Sequence, residues 1–336
     1  MFLTQYALMR LLVTGGLGFI GSNFILHALE KYPKTKITNI DAIFPGSNIH
    51  NLAGLKSRNY KFVKGNITNK NLIEKLVSRS DIVINFAAES HVDRSIVDPR
   101  PFLESNIIGV YAILESVRKH KKKLIQISTD EVFGSLKKES ADENFPFNPS
   151  SPYAASKASA ETLVRSYVTT YDCDAIITRC TNNYGPRQSP EKLIPKVIML
   201  AKMNKKIPIY GNGKNIRDWI FVLDHCNAIL QASFKGKKGE SYNISAQNEV
   251  DNLTIVKKIL KVVGKSQDLI QFIKDRPGHD FRYSLNSKKI YRQMRWKPKY
   301  NFEDGLKYTI NWYESNRKWL DSISSKDMLK TSWKTR

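Results

Sequence analysis

The sequence has 336 residues, enough for about two domains of typical size or for one large domain. Apolar residues make up 41% of the chain, charged residues 25% and aromatic residues 10%, which is ordinary for a globular protein and excludes a disordered, collagen-like or membrane-embedded chain. The unusual property is a formal net charge of +23, because 54 basic side chains stand against 31 acidic ones.

The excess of positive charge lies mainly in the second half of the chain. Residues 1–150 hold 20 basic and 14 acidic side chains, whereas residues 151–336 hold 34 and 17. Such a balance attracts polyanions, so nucleic acid or an anionic membrane is one possible partner. The longest basic run is only 121–123, however, and no basic stripe is interleaved with aromatic residues. We therefore expect a basic surface without a dedicated nucleic-acid partner.

The cysteines and the chain ends suggest a cytoplasmic protein. Cys173, Cys180 and Cys226 form no C-x-x-C motif and no even framework, which favours a reducing compartment. The longest apolar stretches, such as 82–88, are far shorter than the roughly 20 residues that span a bilayer. No cleavage-site pattern follows the mildly apolar residues 1–8, so we interpret 1–8 and 321–336 as terminal extensions.

The first half of the chain alternates short apolar runs with longer stretches of helical spacing. Strands are predicted at 11–14, 36–40, 60–64, 82–86, 124–128 and 175–179, and helices at 20–31, 70–78, 102–119 and 153–170. Continuously apolar strands separated by helices are typical of a parallel sheet covered on both faces. We predict a Rossmann-type doubly wound α/β domain over residues 9–180.

The regularity weakens after residue 180. Turn clusters occur at 182–190, 211–215 and 276–280, and helical spacing persists at 192–203, 224–234, 253–263 and 303–316. No Gly-, Ser- or Pro-rich linker separates the halves. We predict a smaller mixed α/β lobe over 181–320, packed on the first lobe around one cleft, with the chain crossing between the two.

A glycine-rich turn follows the first predicted strand and opens the first predicted helix. Gly15, Gly18 and Gly21 have the spacing that permits a tight turn, close approach of a pyrophosphate and close packing of helix on strand. The helix N-terminus offers free amides and positive potential to phosphates. Asp41, at the end of the second strand, can accept hydrogen bonds from an adenosine ribose and would repel a 2′-phosphate. The pattern predicts NAD rather than NADP, the alternatives being a structural glycine turn and an ordinary turn aspartate.

Tyr153 and Lys157 lie four residues apart, so both side chains can share one helix face. A nearby ammonium group lowers the pKa of a phenol, which then becomes a base for a sugar hydroxyl while hydride leaves for a nicotinamide. The alternative is a solvated helix face.

Polar residues 128–131 directly follow the predicted fifth strand. Ligands of open parallel sheets bind beyond the carboxyl ends of the strands. Asp130 and Glu131 are therefore interpreted as an acid/base pair facing a substrate, rather than as a loop in water.

These motifs resemble those of the extended short-chain dehydrogenase/reductase superfamily, and within it the nucleotide-sugar 4,6-dehydratases, most closely those acting on dTDP-glucose. The resemblance covers 9–319 and rests on residues 14–21, 87–95, 128–132, 153–157, 182–186, 217–219 and 275–280. The Asp130–Glu131 pair is the distinguishing feature, since the related epimerases and decarboxylases do not carry both carboxylates after that strand.

The resemblance implies a reaction that regenerates its NAD at every turnover. Tyr153, helped by Lys157, takes the 4-hydroxyl proton while hydride leaves C4, and Thr129 orients the 4-oxygen. Glu131 is implied as the base at C5 and Asp130 as the acid for the departing 6-hydroxyl. Hydride returns to C6, which gives a 4-keto-6-deoxy sugar nucleotide and water. Adjacent carboxyl groups push their pKa values apart, in keeping with opposite roles.

The resemblance also implies the binding residues, and it implies no metal. For NAD these are Gly15, Gly18, Phe19, Ile20, Gly21, Asp41, Asn66, Ile67, Ala87, Ala88, Ser90, Ser105, Tyr153, Lys157 and Asn183. For the sugar nucleotide they are Ser90, Thr129, Asp130, Glu131, Asn182, Lys192, Leu193, Pro208, Ile209, Tyr210, Arg217, Asn252, Arg276 and His279. Arg217 and Arg276 suit a diphosphate because guanidinium groups pair with phosphate oxygens. The alternative for Arg217 is a surface pair with Asp218.

The sequence departs from the family pattern near the predicted adenosine site. Phe44 and Pro45 replace a usual Thr-Tyr, Asn66 stands where an aspartate is common, and Ser105 replaces a threonine. The Asn66 amide still offers an acceptor oxygen. Phe133 replaces a common tyrosine beside the carboxylate pair, and we expect the chemistry to survive that change.

Two alternatives remain open from the sequence. One methyl group in a pocket is worth only about 1 to 3 kcal/mol, so UDP-glucose is an alternative substrate. A non-catalytic NAD-fold protein that binds RNA is a remote alternative. Family resemblance further implies a homodimer through the helices predicted at 102–119 and 153–170.

Overall fold

Twelve strands are present in residues 9–323, the part of the chain that this computed structural model describes. They are β1 (Arg10–Thr14), β2 (Lys36–Asp41), β3 (Tyr60–Lys64), β4 (Ile82–Asn85), β5 (Lys123–Thr129), β6 (Ala175–Cys180), β7 (Asn182–Tyr184), β8 (Ile207–Tyr210), β9 (Ile216–Phe221), β10 (Ser241–Ile244), β11 (Glu249–Asp251) and β12 (Ile270–Ile273). The predicted extensions 1–8 and, from residue 324 on, 321–336 lie outside the described residues.

Helices separate most of these strands. They are α1 (Phe19–Lys31), α2 (Lys70–Ser78), α3 (Val92–Val97), α4 (Arg100–Leu103), α5 (Gly109–His120), α6 (Pro152–Tyr171), α7 (Leu193–Lys202), α8 (Val222–Lys235), α9 (Asn252–Val262), α10 (Lys288–Met294), α11 (Phe302–Ser315) and α12 (Arg317–Asp321). A π-helical turn, Glu104–Ile108, joins α4 to α5, where the sequence predicts one uninterrupted helix. Short 3-10 turns occur at Ile49–Leu52, Asp130–Phe133 and Gln267–Leu269. Within residues 9–323, none of the helices has both the length and the apolar character needed to cross a membrane.

The main sheet has seven parallel strands in the order β10-β6-β5-β4-β1-β2-β3. The predicted Rossmann-type doubly wound sheet is therefore confirmed. Its last strand, β10, comes from the second half of the chain and pairs with β6. The proposed boundary between lobes at 180/181 stays a prediction.

Successive side chains of a strand point to opposite faces of the main sheet, and both faces are buried. Leu11 and Val13 contribute to one apolar cluster, which includes Ile229 of α8, whereas Leu12 contributes to another, which includes Ile113 of α5. A parallel sheet covered by helices on both sides requires apolar residues at successive positions, as β1 shows. The carboxyl ends of the strands consequently remain at one open edge.

A separate apolar cluster holds together the smaller lobe. It includes Ile198 of α7, Ile209 of β8, Ile259 of α9 and Leu306 of α11. The small sheets β11-β9-β7 and β12-β8 lie in this part of the chain. Their strands contain three to six residues, and sequence patterns did not predict them.

A fully buried ion pair joins α6 to β6. Arg179 donates from Nε to both carboxylate oxygens of Glu161, and from Nη2 to Oε2 at 2.7 Å. Both side chains have 0% exposure. The guanidinium also lies 4.9 Å from the ring centroid of Phe133, the residue that departs from the family pattern.

We expect Glu161→Ala to lower the free energy of unfolding by about 3–5 kcal/mol, because it leaves the Arg179 charge buried without its partner. Urea denaturation followed by circular dichroism measures this loss. The matched control is Glu74→Ala, which removes the exposed pair with Lys119 and is expected to cause a much smaller loss, because exposed pairs are screened by solvent. Equal losses in the two variants would contradict a stabilising role specific to the buried pair.

Candidate functional site

The glycine-rich turn connects β1 to α1 and leaves no room for a side chain at positions 15 and 21. Gly15 has φ +67°, and a Cβ there would lie 2.6 Å from the backbone nitrogen of Ala87. A Cβ on Gly21 would lie 2.5 Å from the carbonyl oxygen of Gly15. Helix α1 begins at Phe19, and Gly18 before it supplies no side-chain cap, so the first amides of the helix remain available to a ligand.

Asp41 holds the turn from the end of β2. Its Oδ2 accepts from the Leu17 amide at 3.0 Å, while Oδ1 accepts from the Ile43 amide at 2.8 Å and from the Ser47 hydroxyl at 2.9 Å. The carboxylate thus orders the turn, as the alternative interpretation expected. It also lines the cavity beside the turn, so the ribose contact stays a compatible prediction. Asn66 lines the same cavity, and its Oδ1 accepts from the Thr68 amide at 3.0 Å.

One cavity at the carboxyl ends of the parallel strands contains every predicted NAD-binding residue and every predicted catalytic residue. The NAD set is Gly15, Gly18, Phe19, Ile20, Gly21, Asp41, Asn66, Ile67, Ala87, Ala88, Ser90, Ser105, Tyr153, Lys157 and Asn183. Thr129, Asp130 and Glu131 line the same space as Tyr153 and Lys157. Ser90, Asn182 and Lys192 of the predicted substrate set are also there. The fold therefore brings the predicted cofactor-binding residues and the predicted catalytic residues into one cleft.

The two adjacent carboxyl groups follow β5 and differ in environment. Asp130 is 5% exposed and accepts from the Thr129 hydroxyl at 3.1 Å, while its Oδ2 has no partner. Burial raises the pKa of Asp130 well above its usual value, and the nearby Glu131 raises it further. This carboxyl group is therefore suited to carry a proton.

Glu131 is surrounded by positive charge. Burial raises its pKa, but Arg276, Lys192 and Arg217 act in the opposite direction, in that order. Its amide donates to the Thr129 hydroxyl at 3.2 Å, which fixes the start of the 3-10 turn. The arrangement favours the charged form at Glu131 more than at Asp130.

Tyr153 and Lys157 lie on the first two turns of α6. Ser151 caps this helix by accepting from the Ala154 amide at 3.1 Å, and Lys157 Nζ donates to the carbonyl of Ile127 at 2.6 Å. Burial lowers the pKa of Lys157 to about 8. The sequence interpretation expected a lowered pKa for Tyr153, but burial, followed by the charge of Glu131, raises it well above its usual value. Burial and the Glu131 charge thus raise the Tyr153 pKa by more than any lowering by Lys157.

The remaining predicted substrate residues lie outside the lining of this cavity. They are Leu193, Pro208, Ile209, Tyr210, Arg217, Asn252, Arg276 and His279. Ile209 packs its side chain in the core of the smaller lobe, and Leu193 packs against that core. Asn252 opens α9 with its Oδ1 buried and unpartnered. His279 contacts Asp275 at 2.7 Å, and burial lowers the histidine pKa to about 4.

Arg217 is buried at 5% exposure and does not form the surface pair with Asp218 that was the alternative interpretation. Its guanidinium donates to the carbonyls of Ile216, Asp280 and Phe281 at 2.7–3.2 Å and lies 4.2 Å from the ring centroid of Tyr283. Burial on β9 explains the difference, because a charged group taken out of water requires internal acceptors.

Several polar groups of the cleft were missed by sequence reasoning. Asp93 accepts from Arg276 Nη1 at 2.6 Å and from the Tyr210 hydroxyl at 2.9 Å, and so links the predicted diphosphate residue to β8. The Tyr283 hydroxyl lies 3.5 Å from Oε2 of Glu131. The motif around Asp93 was a usable signal, whereas Tyr283 lies in a loop 152 residues from its partner.

Unpartnered polar atoms cluster in the cavity lining. They are Ser128 Oγ, Asp130 Oδ2, Thr181 Oγ1, Asn182 Oδ1 and Gln188 Oε1, all buried. Buried polar atoms in folded proteins are normally hydrogen-bonded. Together with the glycine cradle, these atoms fit a polar ligand of dinucleotide type.

Comparison with known proteins places the chain among nucleotide-sugar enzymes. The model of the GDP-mannose 4,6-dehydratase family matches residues 12–309. A dTDP-glucose 4,6-dehydratase of Mycobacterium tuberculosis is 44% identical over 93% of this chain and 95% of its own length. The crystal structure of a dTDP-glucose 4,6-dehydratase from Bacillus anthracis in complex with NAD is 46% identical, with a TM-score of 0.87 over 93% of this chain and 98% of that one. A Streptomyces venezuelae dTDP-glucose 4,6-dehydratase, also solved with NAD, is 40% identical, with a TM-score of 0.90 over the same shares.

We expect Gly15→Ala to abolish retention of NAD, the cofactor predicted from the sequence. The added methyl group would meet the Ala87 backbone at 2.6 Å in a left-handed conformation that disfavours alanine. Gly54→Ala is the matched control, because nothing lies within 4 Å of its Cβ position. Nucleotide released by denaturing the purified proteins measures retention, and undiminished NAD in Gly15→Ala would contradict the assignment of the turn.

Proposed function

This chain belongs to the GDP-mannose 4,6-dehydratase family, and on that premise we propose that it is an NAD-dependent hydro-lyase acting on dTDP-glucose. The products are dTDP-4-keto-6-deoxyglucose and water. The observation that carries the proposal is the Asp130–Glu131 pair, in which Asp130 is buried and Glu131 half-buried, in one cavity with Thr129, Tyr153 and the glycine turn. The relatives named above support the nucleotide, since they are dTDP-glucose enzymes.

The cofactor residues would hold NAD between the glycine turn and α6. When bound, NAD would supply the acceptor and donor of the hydride that moves from C4 to C6 of the sugar, and its positive charge would offset the raised pKa of Tyr153. Asp41 favours a free 2′-hydroxyl, because its carboxylate would repel a 2′-phosphate. Lys157 is anchored through one Nζ proton on Ile127, which leaves its other two for the cofactor.

Tyr153 takes the proton of the sugar 4-hydroxyl, and the Thr129 hydroxyl orients the same oxygen. Oxidation at C4 makes the C5 proton acidic, and Glu131 removes it. Asp130, kept protonated by burial and by Glu131, gives its proton to the departing 6-hydroxyl, so that water leaves. As hydride returns to C6, Glu131 gives a proton back to C5. Tyr153 then releases its proton to solvent and Asp130 takes one up, which restores all three groups for the next turnover.

Positive groups near Glu131 also suit the diphosphate. Arg276 has its Nη1 on Asp93 and its Nε buried without a partner, so one N–H is free for a phosphate oxygen. Lys192 lines the cavity, and Arg217 contributes positive potential from β9.

We further propose a cytoplasmic homodimer without a nucleic-acid partner. The exposed apolar residues Leu103, Ile108 and Tyr171 flank α5 and α6, the helices that family resemblance implies as the interface. The buried, unpaired thiols of Cys173, Cys180 and Cys226 suit a reducing compartment. Light scattering coupled to gel filtration tests the dimer, and a monomeric mass would exclude it.

We expect dTDP-glucose in heavy water to give a 4-keto-6-deoxy product with deuterium at C5 and with the C4 hydrogen moved to C6, as read by NMR. A 4-epimer without C5 deuterium would exclude the dehydratase reaction. A parallel incubation with UDP-glucose decides the nucleotide, since faster turnover there would overturn the dTDP assignment. Salt-sensitive RNA binding with no turnover of either sugar nucleotide would instead favour the non-catalytic alternative.

We expect Glu131→Gln to lower product formation by at least about 100-fold, because general-base catalysis typically contributes 10² or more. The amide is nearly the same size but cannot take the C5 proton. Product is measured by NMR and dTDP-glucose binding by calorimetry, and the control is Glu139→Gln on the exposed segment that follows. Weakened substrate binding with unchanged turnover would show that Glu131 serves binding instead.

A further inference from the structure

The last described helix, α12, is linked by hydrogen bonds to the glycine-rich turn, which lies near the start of the described chain. The indole Nε1 of Trp319 donates to Asn51 Oδ1 at 2.6 Å, across 268 positions of sequence. Asn51 in turn donates from Nδ2 to the Leu17 carbonyl at 2.8 Å. Trp319 is 7% exposed and Asn51 4%. The relay of two hydrogen bonds from Trp319 through Asn51 to Leu17 is therefore shielded from water.

Leu17, in the middle of the turn, is held from both sides. Its amide donates to Asp41, and its carbonyl accepts from the Asn48 amide at 3.0 Å as well as from Asn51. Asn48 is itself tied to the end of the chain's last described helix, because its Nδ2 donates to the Ser322 hydroxyl at 3.1 Å. The peptide of Leu17 precedes Gly18, so its orientation sets where the first amides of α1 point.

Aromatic packing fixes the position of Trp319, the first donor of this relay. The Trp319 ring lies 4.9 Å from that of Trp312 and 5.9 Å from that of Tyr313, both on α11. The Tyr313 hydroxyl donates at 2.6 Å to the carbonyl of Gln188, a residue of the cavity lining. Helix α11 therefore contacts a residue of the cavity lining directly, whereas α12 is linked to the glycine-rich turn through Asn51.

We propose that Trp319 is a positioning residue for NAD, acting through Asn51 and Leu17 on the pyrophosphate-binding turn. The inference rests on the NAD-dependent function proposed above. In a reaction that regenerates its NAD within the site, the cofactor must stay bound through successive turnovers. The relay holds the turn in its binding conformation before the cofactor arrives, so that less ordering remains to be done on binding.

Trp319→Phe tests the relay, because phenylalanine keeps an aromatic ring in the cluster and removes only the N–H donor. One hydrogen bond contributes about 0.5–1.5 kcal/mol, which corresponds to NAD release about 2- to 12-fold faster. Release is followed on the loaded protein by trapping free NAD with an excess of an NAD-consuming enzyme. Trp312→Phe is the matched control, since it alters the same cluster and leaves the Asn51 bond in place.

A second variant separates positioning from general stability. In an Asn51→Ala background, Trp319→Phe should cause no additional acceleration of NAD release, whereas an effect of Trp319 that does not pass through Asn51 would make the two effects additive. Melting temperatures of all variants are measured beside the release rates. Unchanged release in Trp319→Phe, or equal acceleration in Trp312→Phe, would overturn the proposal. NAD release is measured without a sugar substrate, so this outcome is independent of the dehydratase test.

Discussion

The approach of the glycine-rich turn to the end of β4 is the constraint on which the cleft depends. The Thr14 carbonyl accepts from the Phe86 amide at 3.1 Å, the Thr14 hydroxyl accepts from the Ala87 amide at 3.2 Å, and the Gly15 amide donates to Ile40 of β2 at 2.9 Å. Three neighbouring strands are thereby joined where they end. A side chain at position 15 would separate them and fill the space in which a dinucleotide fits. The catalytic groups after β5 and on α6 are arranged around this junction.

Local signals in the sequence predicted the parallel sheet and several polar residues that the structure brings together in one cavity. The glycine spacing, Asp41 at a strand end, the acid pair after β5 and Tyr153 with Lys157 each occupy a short segment, so the parallel-sheet rule places them together. Pairs that are distant in sequence gave no such signal. Asp93 with Arg276 and Asn51 with Trp319 are brought together only by tertiary packing, across 183 and 268 positions.

Burial accounts for the main differences between prediction and structure. The four-residue spacing predicted that Tyr153 lies beside Lys157. It contains no information on desolvation or on the charge of Glu131, and these two effects raise the pKa of the phenol. Burial also excludes the alternative for Arg217, a surface pair with Asp218, because β9 carries the side chain into the interior. The interpretation of the +23 charge is narrower as well, since Arg276, Lys192 and Arg217 are basic residues whose charge acts on Glu131. The remaining positive charge can raise the rate at which anionic substrates approach.

The buried pair of Glu161 and Arg179 has a consequence for engineering this protein. Glu161 lies one helical turn after Lys157, and its charge raises the Lys157 pKa against the lowering effect of burial. Replacing a buried ion pair with well-packed apolar residues is often neutral or stabilising. In this chain that replacement would also remove the Glu161 charge and so lower the pKa of Lys157 further. Heat resistance gained at this position would thus reduce the useful pH range of the enzyme.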